Sequence, residues 1–384
     1  MSGGVDSSVA AALLVQQGYD VVGATMKTFC YSGTKASAKT CCGLDGIADA
    51  QRVANKLRIP HYVFDVEENF TRDVIDDFVS EYARGRTPNP CVRCNSNTKF
   101  PDLMERGHAL GCDGIASGHY VRIDRTDTAD PTLLRGADAG KDQAYFLWDL
   151  PRKMLPLLYF PLGELTKPEV RERARALGLV TADKPESQEI CFVPTGSYRD
   201  LLESRLPARH PAMQPGPLIS LDGQVLGQHD GYANFTVGQR KGLGGGFPHP
   251  VYVVEIRPES REVVVGTLEE CTSTGVEVGE INWLGEPPPA GSPLRVQIRH
   301  RAPDVPATVL SIDDRVTLAF DEPQQAVAPG QSAVFFEGNR LLGGGRVDRA
   351  LSTIPEARTS TGQHSAGSPY SLDQAEVRRS VLEP

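Results

Sequence analysis

The first eight residues, MSGGVDSS, constrain this chain more than any other stretch. Gly3 and Gly4 lack a Cβ, so the backbone there can pass close to a bound anion and adopt the positive φ angles such a turn needs. Ser2, Ser7 and Ser8 add hydroxyls. Val9, Ala10, Ala12, Leu13 and Leu14 read as a helix beginning just after the loop, its first amides facing whatever the loop holds. This predicts a phosphate site, with a plain strand-to-helix turn as the bland alternative. The Lys of a GxxxxGK[ST] loop is missing, so the site is not built to cradle a γ-phosphate for transfer. Asp6 beside bound phosphates points to a divalent cation between them. A buried parallel strand should precede such a loop, yet only Met1 stands before Ser2. The expectation is therefore a mis-assigned start, with Met1 an internal residue of the natural chain.

The whole string SGGVDS resembles the pyrophosphate loop of the ATP pyrophosphatase superfamily. That resemblance implies ATP and Mg2+, with cleavage between the α and β phosphates to adenylylate a substrate.

At 384 residues the chain has room for two or three domains, each with its own core. No apolar run reaches the length of a membrane span and no signal peptide opens the sequence, which predicts a cytoplasmic protein without a membrane partner. The net charge of −9 taken globally speaks against nucleic acid, but local patches such as Arg299–Arg301 and Arg240–Lys241 can still grip phosphates. Eight cysteines in such a chain suggest reactive or metal-binding thiols more than structural disulfides.

From Val9 to Leu150 helix and strand patterns alternate, as in an open parallel α/β sheet whose ligands bind at the carboxyl ends of the strands. Helices are expected from Val9 to Gln17, Asp45 to Leu57, Asn69 to Arg84 and Pro101 to Leu110. Strands are expected from Asp20 to Thr25, His61 to Asp65 and Gly114 to Ser117. Met154 to Leu179 reads as helical, with Pro168 suited to a first turn. Beyond about Pro194, short alternating runs between Gly and Pro read as small β domains, the last a β-barrel. The runs are Pro217–Ser220, Tyr252–Ile256, Glu262–Gly266, Leu294–Ile298, Ala307–Ile312, Arg315–Phe320 and Ser332–Phe336. Pro287-Pro288-Pro289 forms a stiff junction. The expected division is a Rossmann-like, nucleotide α-hydrolase-like catalytic domain (1–195), a central β domain (196–280), a C-terminal barrel (281–350) and a disordered tail (351–384), since the hydrophobic pattern stops after Arg346.

Cys91 and Cys94 form a CxxC on a loop stiffened by Pro88 and Pro90. The spacing alone allows a redox pair, half of a zinc site, or a nucleophile with a tuning neighbour. No second CxxC follows to complete a zinc ribbon. Cys191, in ESQEICFV, taken alone reads as a core thiol between Ile190 and Phe192.

Together the motifs resemble the tRNA-specific 2-thiouridylases over nearly the whole chain up to the tail. The resemblance is carried by SGGVDSS at Ser2, CCGLDGIADA at Cys41, GRTPNPCVRCN at Gly85, ASGHY at Ala116, KDQAYFL at Lys141, ESQEICF at Glu186, FTVGQRKGLG at Phe235, APGQSAVFF at Ala328 and LGGG at Leu342. It implies that ATP adenylylates the C2 oxygen of the wobble uridine, uridine-34, and that sulfur carried as a cysteine persulfide replaces that oxygen as AMP leaves. A urea-like carbonyl is a poor electrophile until its oxygen becomes a leaving group, and thiolates suit sulfur transfer.

By the family pattern Cys191 bears the persulfide and Cys94 is its partner. One branch of the family has Asp at the position of Cys91. Members with CxxC look like iron–sulfur proteins, in which Cys91, Cys94 and Cys191 would ligate a cluster with one open iron. The persulfide and cluster routes use the same residues, and both stay open on the sequence. The resemblance places ATP at Ser2, Gly3, Gly4, Val5, Asp6, Ser7, Met26 and Gly118. It places tRNA at Asn89, Pro90, Cys91, His119, Lys141, Asp142, Gln143, Arg299, His300 and Gln331. A flipped base is implied, because a stacked anticodon base is out of reach. The implied partners are the anticodon stem-loops of Lys, Glu and Gln tRNAs and a sulfur donor such as a cysteine desulfurase or relay protein. Cys30, Cys41, Cys42, Cys112 and Cys271 receive no role. The competing readings are another ATP pyrophosphatase acting on a small molecule, and a nonenzymatic iron–sulfur or RNA-binding protein.

Overall fold

The structure is a computed structural model that describes residues 1–28, 44–128, 130–186, 190–193 and 197–353. Cys30, Cys41 and Cys42 and the tail from residue 354 onward lie outside the described residues. Helix α1, Val5–Gln16, starts four residues earlier than the apolar pattern alone indicates, with extended Gly4 as its N-cap. Val5 and Ser8 to Leu14 are buried, because a helix this short of polar side chains must be enclosed on most of its circumference. It packs against Val53 of helix α2 (Leu44–Leu57) and against Val170 and Ala174 of the helix Lys167–Ala176.

Among the described residues the first half contributes six strands: β1 Gly23–Lys27, β2 His61–Asp65, β3 Ile115–Ala116, β4 Val121–Asp124, β5 Thr132–Arg135 and β6 Leu158–Tyr159. β1 pairs in parallel with β2, and β3 in parallel with β6, as two separate pairs. Met1 lies alongside β1, where its carbonyl accepts a hydrogen bond from Thr25 Oγ1 at 2.6 Å. The expected helix over 69–84 is a continuous helical run whose middle turn, Thr71–Ile75, is π-helical. The run 90–109 likewise contains a π segment, Cys94–Lys99, so Cys94 opens an irregular turn of the kind that often marks functional sites.

Three expectations are corrected. Met154 to Leu179 is not one helical region: a 3-10 turn at Arg152–Leu157 and strand β6 come first, since Pro156 interrupts the early part, and the α-helix spans only Lys167–Ala176. The capping box of Thr166 and Glu169 fixes that helix start. The alternation of helix and parallel strand is broken by β4 and β5, an antiparallel hairpin that joins the C-terminal sheet through Leu134 and Arg340. The strand pattern does not stop at Arg346; the last strand continues to Leu351.

Among the described residues the second half holds ten strands: β7 Gly216–Ile219, β8 Val225–His229, β9 Tyr252–Arg257, β10 Glu262–Gly266, β11 Thr272–Trp283, β12 Pro293–Gln297, β13 Val305–Ile312, β14 Val316–Gln325, β15 Ser332–Glu337 and β16 Arg340–Leu351. A four-stranded sheet runs β8-β7-β10-β9. The last six strands run β11-β14-β13-β12-β15-β16 and close through β11–β16 pairing, so the barrel itself leaves no open edge. Its interior holds Val276, Val278, Val296, Val309, Leu318 and Phe335, all fully buried. Strand β11 crosses position 280, and the Pro287–Pro289 run connects two barrel strands. Gly344 of β16 lets Trp148 press against the barrel backbone; a Cβ there would stand 2.9 Å from the indole.

Candidate active site

The phosphate loop is held by backbone contacts that only glycine permits. Gly3 has φ +70°, and a Cβ on it would lie 2.1 Å from the carbonyl oxygen of Gly46 in α2. Gly118 sits so close to the Asp6–Ser7 peptide that its Cβ would stand 2.7 Å away. Ser7 Oγ accepts from the Ser2 amide at 3.0 Å, and Ser8 Oγ donates to Gly4 O at 2.8 Å. These bonds close the loop on itself while the N-cap, Gly4, supplies no side chain to the first turn of α1. That leaves the end of the helix suited to an anion. Met26, at the end of β1, pairs with Phe64 of β2.

Asp6 is fully engaged. Lys167 Nζ donates to both of its oxygens, at 2.7 and 2.8 Å, and Tyr120 OH donates to Oδ1 at 2.7 Å. Lys167 also pairs with Glu186 Oε1 at 2.8 Å, and Lys141 pairs with Glu186 Oε2 at 2.7 Å. Lys184 Nζ donates to the Gly3 carbonyl at 2.9 Å and to Asp49 at 2.7 Å. Burial alone would raise the Glu186 pKa, but hydrogen bonds from Lys141 and Lys167 outweigh it and bring it down to about 2. Burial, with the Asp6 charge beside it, pushes the Tyr120 phenol up, so Tyr120 stays a donor. Gln143 Oε1 accepts the Tyr120 amide at 3.0 Å, and Asp142 pairs with Arg135 at 2.7 Å. Lys141, Asp142 and Gln143 thus each hold an internal partner next to the loop. Tyr120, Lys167, Glu186, Lys184 and Asp49 carry no site role in the sequence reading. The positions of Tyr120 and Glu186 inside the ASGHY and ESQEICF motifs were the available signal for two of them.

The thiols stand in a second region. Cys94 and Cys191 both border the core cluster of Phe70, Phe78, Tyr82 and Phe192. Phe192, next to Cys191, meets the rings of Phe78 at 5.2 Å and Phe70 at 5.8 Å, which docks residues 190–193 on the 67–83 helix. Cys91 is exposed, and Cys94 and Cys191 are half-buried. Cys271 is buried, with its thiol directed at Val253 O and its pKa raised by that burial. Among the described residues no three His, Cys, Asp or Glu side chains come together as a group able to hold a metal ion.

The loop bearing Cys91 is clasped by the second half of the chain. Thr87 N donates to Pro329 O at 2.8 Å, Gln331 Nε2 to Thr87 O at 2.9 Å, and Thr87 Oγ1 to Thr236 Oγ1 at 3.1 Å. Asn89 hydrogen-bonds the hydroxyl of buried Tyr145, which also reaches Ser332 O at 3.1 Å. Pro90 opens the helical run that follows. The His300 ring lies tilted by 42° against that of Phe146, centroids 4.4 Å apart. Arg299 is turned inward, donating to Val237 O at 3.1 Å and Ala326 O at 2.5 Å, and burial lowers its pKa. His119 is apart from these, bonded to Ser117 Oγ at 2.7 Å between Phe100 and Phe160. Burial, with the Lys99 charge adding, pulls its pKa down to about 3, so it is a neutral imidazole. The structure therefore gathers Asp6, Gly118 and the 141–143 segment around the loop, and Asn89, Pro90 and Gln331 around the CxxC loop, while His300 lies against Tyr145 and Phe146.

Three family models cover most of the chain: a tRNA methyl transferase HUP domain over residues 1–195, a tRNA methyl transferase PRC-barrel domain over 203–267 and an aminomethyltransferase beta-barrel domain over 273–347. Among curated relatives, a tRNA-specific 2-thiouridylase of Rhodospirillum centenum is 48% identical over 91% of this chain and 91% of its own length. Those of Carboxydothermus hydrogenoformans (48%, 91% of this chain and 97% of its own) and Geobacter metallireducens (47%, 92% and 96%) match similarly. With the three models in succession along the chain and curated relatives 47–48% identical over about nine-tenths of its length, the chain belongs to the tRNA-specific 2-thiouridylase family.

Proposed function

We propose that this chain converts uridine-34 of tRNA to 2-thiouridine. The C2 oxygen attacks the α-phosphorus of ATP and pyrophosphate leaves. The terminal sulfur of a persulfide on Cys191 then adds at C2, and AMP departs with the original oxygen. The Cys94 thiolate attacks the Cys191 sulfur, releasing the thiolated base and leaving a Cys94–Cys191 disulfide that two electrons from a cellular thiol reductant reopen. Mg2+ supplies charge neutralisation at the phosphates. Ser2, Gly3, Gly4, Val5, Asp6, Ser7, Met26 and Gly118 form the ATP set. Asn89, Pro90, Cys91, His119, Lys141 to Gln143, Arg299, His300 and Gln331 form the tRNA set.

One observation carries this reading: Cys94 and Cys191, far apart in sequence, border a single core cluster. The ion-pair chain Asp6–Lys167–Glu186 supports it by tying the phosphate loop to the motif that contains Cys191. The first two family descriptions speak of methyl transfer; the paired thiols favour sulfur chemistry. The proposal includes three modules, 1–195, 196–280 and 281–350. It also includes a cytoplasmic setting, Lys, Glu and Gln tRNAs as substrates, and a persulfide donor protein. No helix among the described residues is long and apolar enough to cross a membrane. The test is Cys191→Ser in the full chain: 2-thiouridine formation disappears while ATP binding persists. Thiolation that survives the substitution overturns the reading.

A further inference from the structure

The chain has 49 Asp and Glu against 40 Lys and Arg, yet no carboxylate falls between Gly231 and Val254. Within that stretch stand Arg240 and Lys241, both exposed. Among the described residues neither side chain has an ion pair or a hydrogen bond, whereas Lys141, Lys167 and Lys184 are each matched by a carboxylate of the chain. Two adjacent cations with no counter-charge on their own loop leave a local positive potential in an acidic protein.

The backbone beneath them is fixed beside the thiol site. Gly238 N donates to Val253 O at 2.7 Å, and Val253 N donates to Gln239 O at 2.9 Å. The Gln239 side chain accepts from Thr236 N at 3.0 Å and donates to Lys241 O at 2.8 Å. Thr87 of the CxxC loop donates to Thr236 Oγ1, and Arg299 donates to Val237 O, each at 3.1 Å. Further along, Leu243 is buried in the cluster that Cys94 and Cys191 border, and half-buried Phe247 packs against it. The large apolar side chains of the loop are thus turned inward, and its cations face solvent. Gly244 and Gly246 have φ of +84° and +97°, which favours glycine, but Gly245 between them has no positive φ. A Cβ on Gly245 would meet nothing within 4 Å. No described part of the chain requires glycine there; a bare Cα does let an outside group close on the backbone amides.

We propose that the loop 239–251 clamps the sugar-phosphate backbone of tRNA beside the flipped nucleotide, with Arg240 and Lys241 on phosphate oxygens and the backbone at Gly245 in close approach. This rests on the tRNA-dependent reading above and deepens it by naming residues that hold the RNA next to the thiols. A strand whose flipped base reaches those thiols carries its flanking phosphates across the neighbouring surface. The contacts fix register and read no base, so they serve every tRNA that enters the site. RNA fits better than a protein partner, because the loop offers cations and open backbone and no large apolar anchor.

The experiment titrates tRNA against the full chain at salt concentrations from about 50 to 200 mM, for the wild type, Arg240→Gln, Lys241→Gln, the double variant and Gly245→Ala. Arg173→Gln, exposed on the helix Lys167–Ala176, is the charge-matched control. Arg240→Gln and Lys241→Gln each weaken binding about three- to tenfold and each lower the slope of log Kd against log salt by about 0.7–0.9. Gly245→Ala weakens binding at an unchanged melting temperature, and Arg173→Gln binds as the wild type does. Wild-type affinity and slope in the double variant, or wild-type affinity in Gly245→Ala, overturns the proposal; so does an equal loss in Arg173→Gln, which would mark a net-charge effect. Unchanged tRNA binding with slowed sulfur loading from a persulfide donor protein assigns the loop to a protein partner and also overturns it. Where the wild type binds tRNA and forms 2-thiouridine, each of these failures removes this inference alone; a wild type that binds no tRNA removes the proposed function with it.

Discussion

Gly118 shows how a single hydrogen in place of a methyl group controls the phosphate loop. Its α-carbon lies against the Asp6–Ser7 peptide, and a Cβ would stand 2.7 Å from that backbone, a separation side chains do not tolerate. Gly118→Ala should shift Asp6 and the first turn of α1, weakening ATP binding by about tenfold, or 1.4 kcal/mol, in calorimetric titration. Unchanged affinity would show that the contact does not shape the site. His119 gives a pH-dependent counterpart. Its pKa in the folded chain is about 3 against an ordinary 6.5, so between those values the unfolded chain binds a proton that the folded chain refuses. Stability should fall as pH drops below 6.5 and continue falling toward 3. Glu186, held near 2, adds a loss of the same direction below about 4.5, because its ion pairs require the carboxylate. Denaturant titrations of wild type and His119→Gln across pH 4 to 7 check this; the wild-type slope between 5 and 6.5 should flatten in the variant.

Among the elements, the CxxC loop and the barrel segment 326–332 depend on one another. Gly330 has φ +90°, and a Cβ on it would lie 2.8 Å from the Thr87 amide. Gly330→Ala adds a left-handed backbone cost of about 1–2 kcal/mol and pushes the loop carrying Asn89 and Cys91 out of place. Thiolation should drop while ATP affinity holds, and a parallel loss of ATP binding would show the damage to be global. The helical run 90–109 was legible as a helix from Pro101 onward. Its first two turns were not, because Pro88, Pro90 and a polar CNSNTK stretch read as loop. Tertiary partners stabilise those turns: Ser96 Oγ donates to Asp149 at 2.8 Å, and Asn95 Nδ2 donates to Phe146 O at 3.2 Å.

At the scale of the molecule, the barrel is joined to the helix 76–83 by a buried ion network. Arg346 of β16, 8% exposed, pairs with Asp77 and Glu81, each at 3.0 Å, and Glu81 also meets Arg86 at 2.8 Å. Replacing Arg346 by Met leaves buried Glu81 short of a partner and should destabilise the full chain by about 3 kcal/mol, read as a lowered melting temperature. The change should be seen for both halves together if the network binds them. The sequence by itself determined the phosphate loop, the thiol motif, the helices α1 and α2, most strands of the barrel and the family, because each is written in local spacing and in motif strings. Only the tertiary structure decided that Asp6 is held by Lys167 and Tyr120, that Glu186 bridges two lysines, that Arg299 turns inward and that β4 and β5 join the barrel. These pairings link residues from 19 to more than 200 positions apart, and no local pattern encodes which distant charge will neutralise a buried one.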